Sequence, residues 1–317
     1  MRASLSLLLL AVLGCRPEAD LRAPDEDTAP ARRLRVAVTV DDLPSHGPRP
    51  EGLTRRDLHE RLLAAFAKHE VEAYGFINGA RAADGDDERA ALQAWADAGQ
   101  PLANHTFSHP RMQDIGLAAY LAEIDANAAV LAALEPDAQT WHVFRYPYLY
   151  EGTDPQSTIA VREHLAHAGY RIAQVTVDFY DWSFNDPYVR CLGAHDEAAI
   201  ARLRTTYLDH AVAMLRWSDE AAQQLWQRDV GHILLLHVGA LTAELIEPLL
   251  AAYEAEGVTW IPLAEAMADP IYATPPVLDG ETQGTFIDQT MATRPELAIT
   301  RVVQPLPQLA SFCPVTP

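Results

Sequence analysis

Five short stretches of this chain carry side chains suited to hydrolytic chemistry, and each follows an apolar run. Asp41 and Asp42 stand side by side, and adjacent carboxylates repel unless a cation or a hydrogen-bonding base separates their roles. His105-Thr106-Phe107-Ser108-His109 places two imidazoles four apart, so both rings can face one ion where the loop enters a helical turn. Together with Asp42 these make two neutral imidazoles and one carboxylate, three protein ligands with open positions, the donor set of a catalytic divalent metal. Zinc suits that set first; cobalt, manganese, nickel or iron would satisfy the same ligands. Arg145 ends another apolar run with a guanidinium able to hold a carboxylate in place. Asp178 and Asp181-Trp182 follow a further run, and either carboxylate is placed to orient and tune His237, which closes Ile233-Leu234-Leu235-Leu236. Each stretch alone has a plainer reading: a solvated turn for the aspartates, two unrelated loop histidines, a surface arginine, and core positions for His237 and Trp182. Their common placement at the ends of apolar runs is what carries the argument.

Groups this far apart in sequence cooperate only if one fold brings the run ends to a single face. Short apolar or β-branched runs at 36–40, 71–77, 102–104, 142–145, 172–177, 233–236 and 258–261 alternate with helical segments, the pattern of βα units around a parallel sheet. Seven such strands predict a barrel, and in a parallel barrel the strand C-termini share the face where catalytic groups gather. The helix expected over 55–70 sets Leu58, Leu62, Leu63 and Phe66 on one face. A second, 86–98, opens with acidic residues and stops at Gly99; a third runs from Pro155 to Gly169. Residues 196–229 are helical in composition and insertion-sized, with a break expected near Ser218. Beyond Asp269 the chain is Pro-rich and loses its periodicity, so the barrel is placed at 34–268 and residues 269–317 are expected as an extension packed on its outside.

The chain has 317 residues, 49% of them hydrophobic, enough for one large core. A formal net charge of −20 sets its surface against phosphate backbones, so no nucleic-acid partner is expected, and neutral or cationic substrates are favoured. No protein partner is implied. Met1 to Gly14 has a charged start, an apolar run too short to span a bilayer and a small residue at its end, the layout of an export signal. Val12-Leu13-Gly14-Cys15 resembles the lipobox of bacterial lipoproteins, which implies acylation of Cys15 and a membrane anchor. The expected location is the cell envelope, periplasm-facing or at the outer membrane if the host has two membranes. Residues 15–33 are rich in Pro, Ala, Asp and Glu with few large apolar side chains and read as a disordered tether. In an oxidising compartment a bridge between Cys191 and Cys313 is permitted, and sequence does not decide it.

Taken in order, the five stretches resemble the NodB-homology polysaccharide deacetylases, a carbohydrate esterase family. The carrying residues are Thr39-Val40-Asp41-Asp42, His105 to His109, Arg145-Tyr146-Pro147-Tyr148, Asp178 to Trp182, and Leu234-Leu235-Leu236-His237. The resemblance implies a deformed (β/α)7 barrel with the Pro-rich tail added, and one divalent metal held by Asp42, His105 and His109. It implies Asp41 as general base toward water, Arg145 as its positioning cation, and the Tyr148 backbone N–H as an oxyanion donor. It implies His237 as the acid that protonates the leaving group, Asp181 as the partner that keeps His237 charged, and Trp182 as a wall of the acetyl pocket. Leu43, Leu149 and Val238 stand where the family usually has glycine, glycine and often aspartate; they leave the reacting groups intact and crowd the loops, with Leu43 expected to border the substrate. His46 has no role in the family pattern. The reaction so implied is hydrolysis of an acetyl group, first the N-acetyl of an amino sugar in an envelope or extracellular glycan. Two alternatives are an amide hydrolase acting on a small non-sugar substrate on the same barrel, and a glycan-binding lipoprotein without turnover.

Overall fold

The computed structural model describes residues 34–134 and 141–314. The expected signal segment, Cys15 and the tether lie outside the described residues. The strands in chain order are β1 (Leu34–Leu43), β2 (Ala73–Ile77), β3 (Leu102–Asn104), β4 (Val143–Phe144) and β5 (Tyr150–Gly152). They are followed by β6 (Arg171–Ile172), β7 (Gly231–His237), β8 (Val258–Trp260) and β9 (Thr282–Gln283).

β1 reads Leu-Arg-Val-Ala-Val-Thr-Val and is buried on both faces from Val36 onward, as a central strand of a parallel sheet must be. It pairs with β2 on one side and β7 on the other, with β8 joining near its start. The parallel sheet runs β6-β4-β3-β2-β1-β7. Past β6 the chain leaves β4, where the Ala173 N–H still donates to Phe144 O, and crosses to β7, where the Val177 N–H donates to Ile233 O. The resulting Val177–Leu234 bridge links the two ends of the curled sheet. The expected strand over 172–177 is therefore only two residues of ladder and a bridge, because the segment changes neighbours midway. The architecture is that of a deformed (β/α)7 barrel.

Helices clothe the sheet. Arg55–Lys68 starts on a Thr54/Asp57 capping box and buries Leu58, Leu62, Leu63 and Phe66. Asp86–Asp97 places Trp95 edge-on against Phe66. Glu197–Trp226 is one unbroken helix of 30 residues, capped by Asp196; Ser218, where a break was expected, is buried within it. Serine is an ordinary helix residue, so its small side chain is accommodated in the core without ending the helix.

The residues past Asp269 hold more structure than their composition predicts. β9 pairs antiparallel with β5, and Phe286–Ala292 is a helix on a Thr285/Asp288 capping box. Gln289 donates to the buried Glu151 at 2.7 Å, which also accepts from Arg162 and Gln174. Farther on, Leu309 and Phe312 are buried, and a disulfide joins Cys191 to Cys313 across 122 residues.

Candidate active site

Consecutive strand residues point to opposite faces, so Asp41 and Asp42 share a cavity only if the strand breaks its pleat. It does: the register against β2 shifts between Val40 and Leu43, and Asp42 is left-handed at φ 65°. On the other side the register sets Asp41 opposite His237 of β7. Left-handed backbone recurs at Thr106, His109, Tyr148 and Tyr180, with φ between 59° and 64°. Such conformations cost about 1–3 kcal/mol each in non-glycine residues and persist where the surroundings over-determine them. Here they turn the segments after β1, β3, β4 and β6 toward one space.

His109 Nε2 lies 3.2 Å from Asp42 Oδ1 and His105 Nε2 lies 3.7 Å from the same oxygen. That oxygen is buried and accepts no hydrogen bond among the described residues, a costly state unless a cation satisfies it. The three donor atoms lie within 4.8 Å of one another. His105 Nδ1 donates to the Arg145 carbonyl at 2.9 Å, which fixes the tautomer and leaves the Nε2 lone pair facing Asp42 Oδ1 at 3.7 Å and Asp41 Oδ2 at 3.6 Å. Burial pushes both imidazoles down, His109 to about 4 and His105 well below the usual histidine range, so both stay neutral. For Asp42 burial works the other way, but the His46 hydrogen bond with His109, His237 and Arg81 outweighs it and holds the carboxyl well below its usual value. An ionised carboxylate and two neutral imidazoles with converging lone pairs fit a divalent metal.

Asp41 is buried, and desolvation lifts its pKa to about 6 against the pull of Arg145 and His237. The Arg145 guanidinium is only 1% exposed and lies 3.3 Å from both Asp41 oxygens. It is itself held by Ala173 O at 2.6 Å and Thr39 Oγ1 at 3.1 Å. His237 Nδ1 meets Asp181 Oδ1 at 2.8 Å, leaving Nε2 toward the cavity. Burial would lower the His237 pKa, but the Asp181 charge and hydrogen bond, with Asp42 and Asp41, raise it to about 9.

These groups open into a cavity of about 330 Å³, within the range of small-molecule and sugar sites. Trp182 and Tyr148 are 42% and 50% exposed on its rim, beside Leu149. Of the two carboxylates open as partners to His237, Asp181 holds that position; Asp178 lines the cavity, its pKa raised by burial to about 7 despite the Tyr180 N–H it accepts. Leu43 does not border the cavity. It is fully buried, and a Cβ on Gly75 of β2 would meet its Cδ2 at 2.6 Å and Trp95 at 2.9 Å, so its side chain faces the core. Val238 is likewise core.

Several lining residues carry no site role in the sequence reading: His46, which it noted without a task, and Arg111, Tyr180, Gly284, Thr285 and Asp288. The last three mean that the tail forms part of the cavity wall. Thr285 and Asp288 carried a readable sign, the Thr-x-x-Asp spacing of a helix start. Nothing local marks Arg111, which lies over the Tyr148 ring at 4.4 Å.

A family model described as polysaccharide deacetylase matches residues 28–173. A sequence comparison with curated proteins found no significant match. Among solved structures, a mutant of BA3943, a CE4 family pseudoenzyme with restored enzymatic activity, is similar at TM-score 0.51 and 18% identity, covering 75% of this chain and 68% of that one. Wild-type BA3943, from Bacillus anthracis and itself titled a pseudoenzyme, is similar at TM-score 0.50 and 17% identity over 75% of this chain and 66% of that one. The Bc1960 peptidoglycan N-acetylglucosamine deacetylase is similar at TM-score 0.50 and 17% identity, over 74% of this chain and 92% of that one. At these identities the likeness is one of fold. The family match, over residues 28–173, takes in the Asp41-Asp42, His105–His109 and Arg145 stretches, and the fold is that of a deformed (β/α)7 barrel of the polysaccharide deacetylase type.

Proposed function

We propose that the chain is a metal-dependent deacetylase that hydrolyses acetyl groups on a glycan, the N-acetyl of an amino sugar first among them. The observation that carries the proposal is the facing of Asp41 and His237 across the β1–β7 register, with the Asp42, His105 and His109 donors converging beside them. A divalent ion there, zinc by preference, would acidify a water and polarise the acetyl carbonyl. Asp41 takes the proton of the attacking water; Arg145 keeps its carboxylate in place, and a pKa near 6 leaves it basic at neutral pH. The Tyr148 N–H is assigned to the carbonyl oxygen on which charge develops. His237, charged through Asp181, gives its proton to the departing amine. Trp182 and the Tyr148 ring flank the acetyl methyl.

The same proposal places an export signal at 1–14, a lipid anchor at Cys15, a tether over 15–33, the barrel at 34–268 and an extension at 269–317. It sets the enzyme at the cell envelope. The test is acetate release by the purified protein from acetylated chito-oligosaccharides and from peptidoglycan, after chelation and again after zinc or cobalt. Metal-restored acetate is expected. The tail wall of Gly284, Thr285 and Asp288 favours a second reading, the same chemistry on a small non-sugar amide that the cavity encloses. Release from small N-acetyl amides with none from any glycan would select it. One equivalent of bound metal with no release from either would leave a binding role.

A further inference from the structure

We infer that His46 is a positioning residue for Asp42, dividing the work of that carboxylate between its two oxygens. The inference rests on the metal reading above. Asp42 Oδ2 accepts a hydrogen bond from His46 Nδ1 at 2.7 Å and has the Arg81 guanidinium 3.6 Å away. Asp42 Oδ1 is the buried atom without a hydrogen-bond partner, and it faces His109 and His105. The terminal torsion of an aspartate is broad and nearly two-fold, so nothing in Asp42 itself decides which oxygen faces the imidazoles. His46 decides it by occupying Oδ2.

The chain is built to bring His46 there. The Ser45 N–H donates to Asp42 O at 2.8 Å, turning the strand end back on itself, and Arg81 donates to Ser45 O at 2.5 Å, pinning that turn. The far side of the His46 ring packs 4.9 Å from the His237 ring. His46, Asp42 and His237 also lie close enough to share one ion. One fact counts against a direct ligand role there: Oδ2 is already satisfied by the His46 N–H, whereas Oδ1 is not.

The experiment is Co²⁺ affinity by calorimetric titration for wild type, His46→Ala, His46→Asn and His105→Ala, with metal-free melting temperatures for each. His46→Ala is expected to bind Co²⁺ about tenfold to a hundredfold more weakly, the range for loss of a group that orients a ligand. His46→Asn is expected to recover most of that loss, because its amide nitrogen stands as many bonds from Cα as His Nδ1 and can donate to Oδ2. His46→Ala takes a hydrogen bond from a buried carboxylate, so its metal-free melting temperature should fall modestly, and His46→Asn should restore it together with the affinity. Wild-type affinity in His46→Ala overturns the inference. So does failure of His46→Asn to recover binding, the result a direct ligand would give. Absence of Co²⁺ binding by wild type, or equal binding by His105→Ala, would instead overturn the metal reading itself.

Discussion

Asp181→Asn should move the alkaline limit of activity without touching the metal donors. Asp181 binds His237 twice, through Nδ1 at 2.8 Å and the backbone N–H at 2.7 Å, and its second oxygen also accepts from Thr242 Oγ1 at 3.0 Å. Asparagine keeps the volume and one acceptor but removes the charge. The His237 pKa stands at about 9 against an ordinary 6.5, which corresponds to about 3 kcal/mol in favour of the imidazolium at roughly 1.4 kcal/mol per tenfold. Burial alone pushes the other way, so without Asp181 the pKa should fall to about 6.5 or below. At pH 8 the protonated fraction would drop from about nine-tenths to about one-thirtieth, a loss of about thirtyfold in kcat/KM. The assay is kcat/KM for acetate release between pH 5.5 and 10.5, a window set by those two values. Wild type should decline through about pH 9 and the variant through a pH some two units lower. Stability follows the same sign. A raised histidine pKa stabilises the fold fully below about pH 6.5, and that contribution is lost as pH rises through about 9. Wild-type melting temperature should therefore fall across that interval more than the variant's. An alkaline limb that stays in place in Asp181→Asn would refute both the acid assignment and the ion pair as its cause.

Asp41→Asn should keep metal affinity and lose about 10²–10⁴ in kcat/KM, the usual contribution of a general base, whereas His105→Ala should lose both. Retained turnover in Asp41→Asn would sink the base assignment. Arg145→Met leaves the Asp41 carboxylate buried without its cation and should destabilise the fold by about 3–5 kcal/mol in urea titration; a shift below about 1 kcal/mol would show that Asp41 finds another partner. Replacing Cys191 and Cys313 by serine should cost about 2–5 kcal/mol, read as a lowered urea midpoint that reductant produces equally in wild type. Identical midpoints with and without reductant would refute it.

The long central strands were legible because β1 and β7 are uninterrupted apolar runs, and a polar residue ending such a run has little choice but to emerge at the sheet's rim. The two-residue strands β4 and β6 were overdrawn. Val175, within the longer run expected around β6, is apolar because it is buried, and burial reads the same whether or not a residue pairs. Leu43 shows the matching error at the site. Adjacency to Asp42 suggested a place beside the substrate, but the bulge that turns Asp42 into the cavity sends Leu43 into the core. The tail's share of the wall was invisible because it depends on β9 finding β5, more than a hundred residues earlier, and no local pattern encodes that pairing. His46 was noticed as a residue without a task. Its task depends on a turn only four residues long that spacing alone does not specify.

The place of β1 also has a consequence for how the protein is made. Thr39 and its partner Leu234 are 195 residues apart, so at ordinary synthesis rates the first strand waits roughly ten to forty seconds for its second neighbour to be translated. During that interval a valine-rich strand meant to be buried on both faces keeps one edge open, the configuration most prone to pair with another nascent chain. A messenger truncated anywhere before the codons for β7 would thus yield insoluble protein, not a weakened enzyme. Slow, non-local closure of this kind makes the yield of soluble chain depend on holding the early strand apart until the last third arrives.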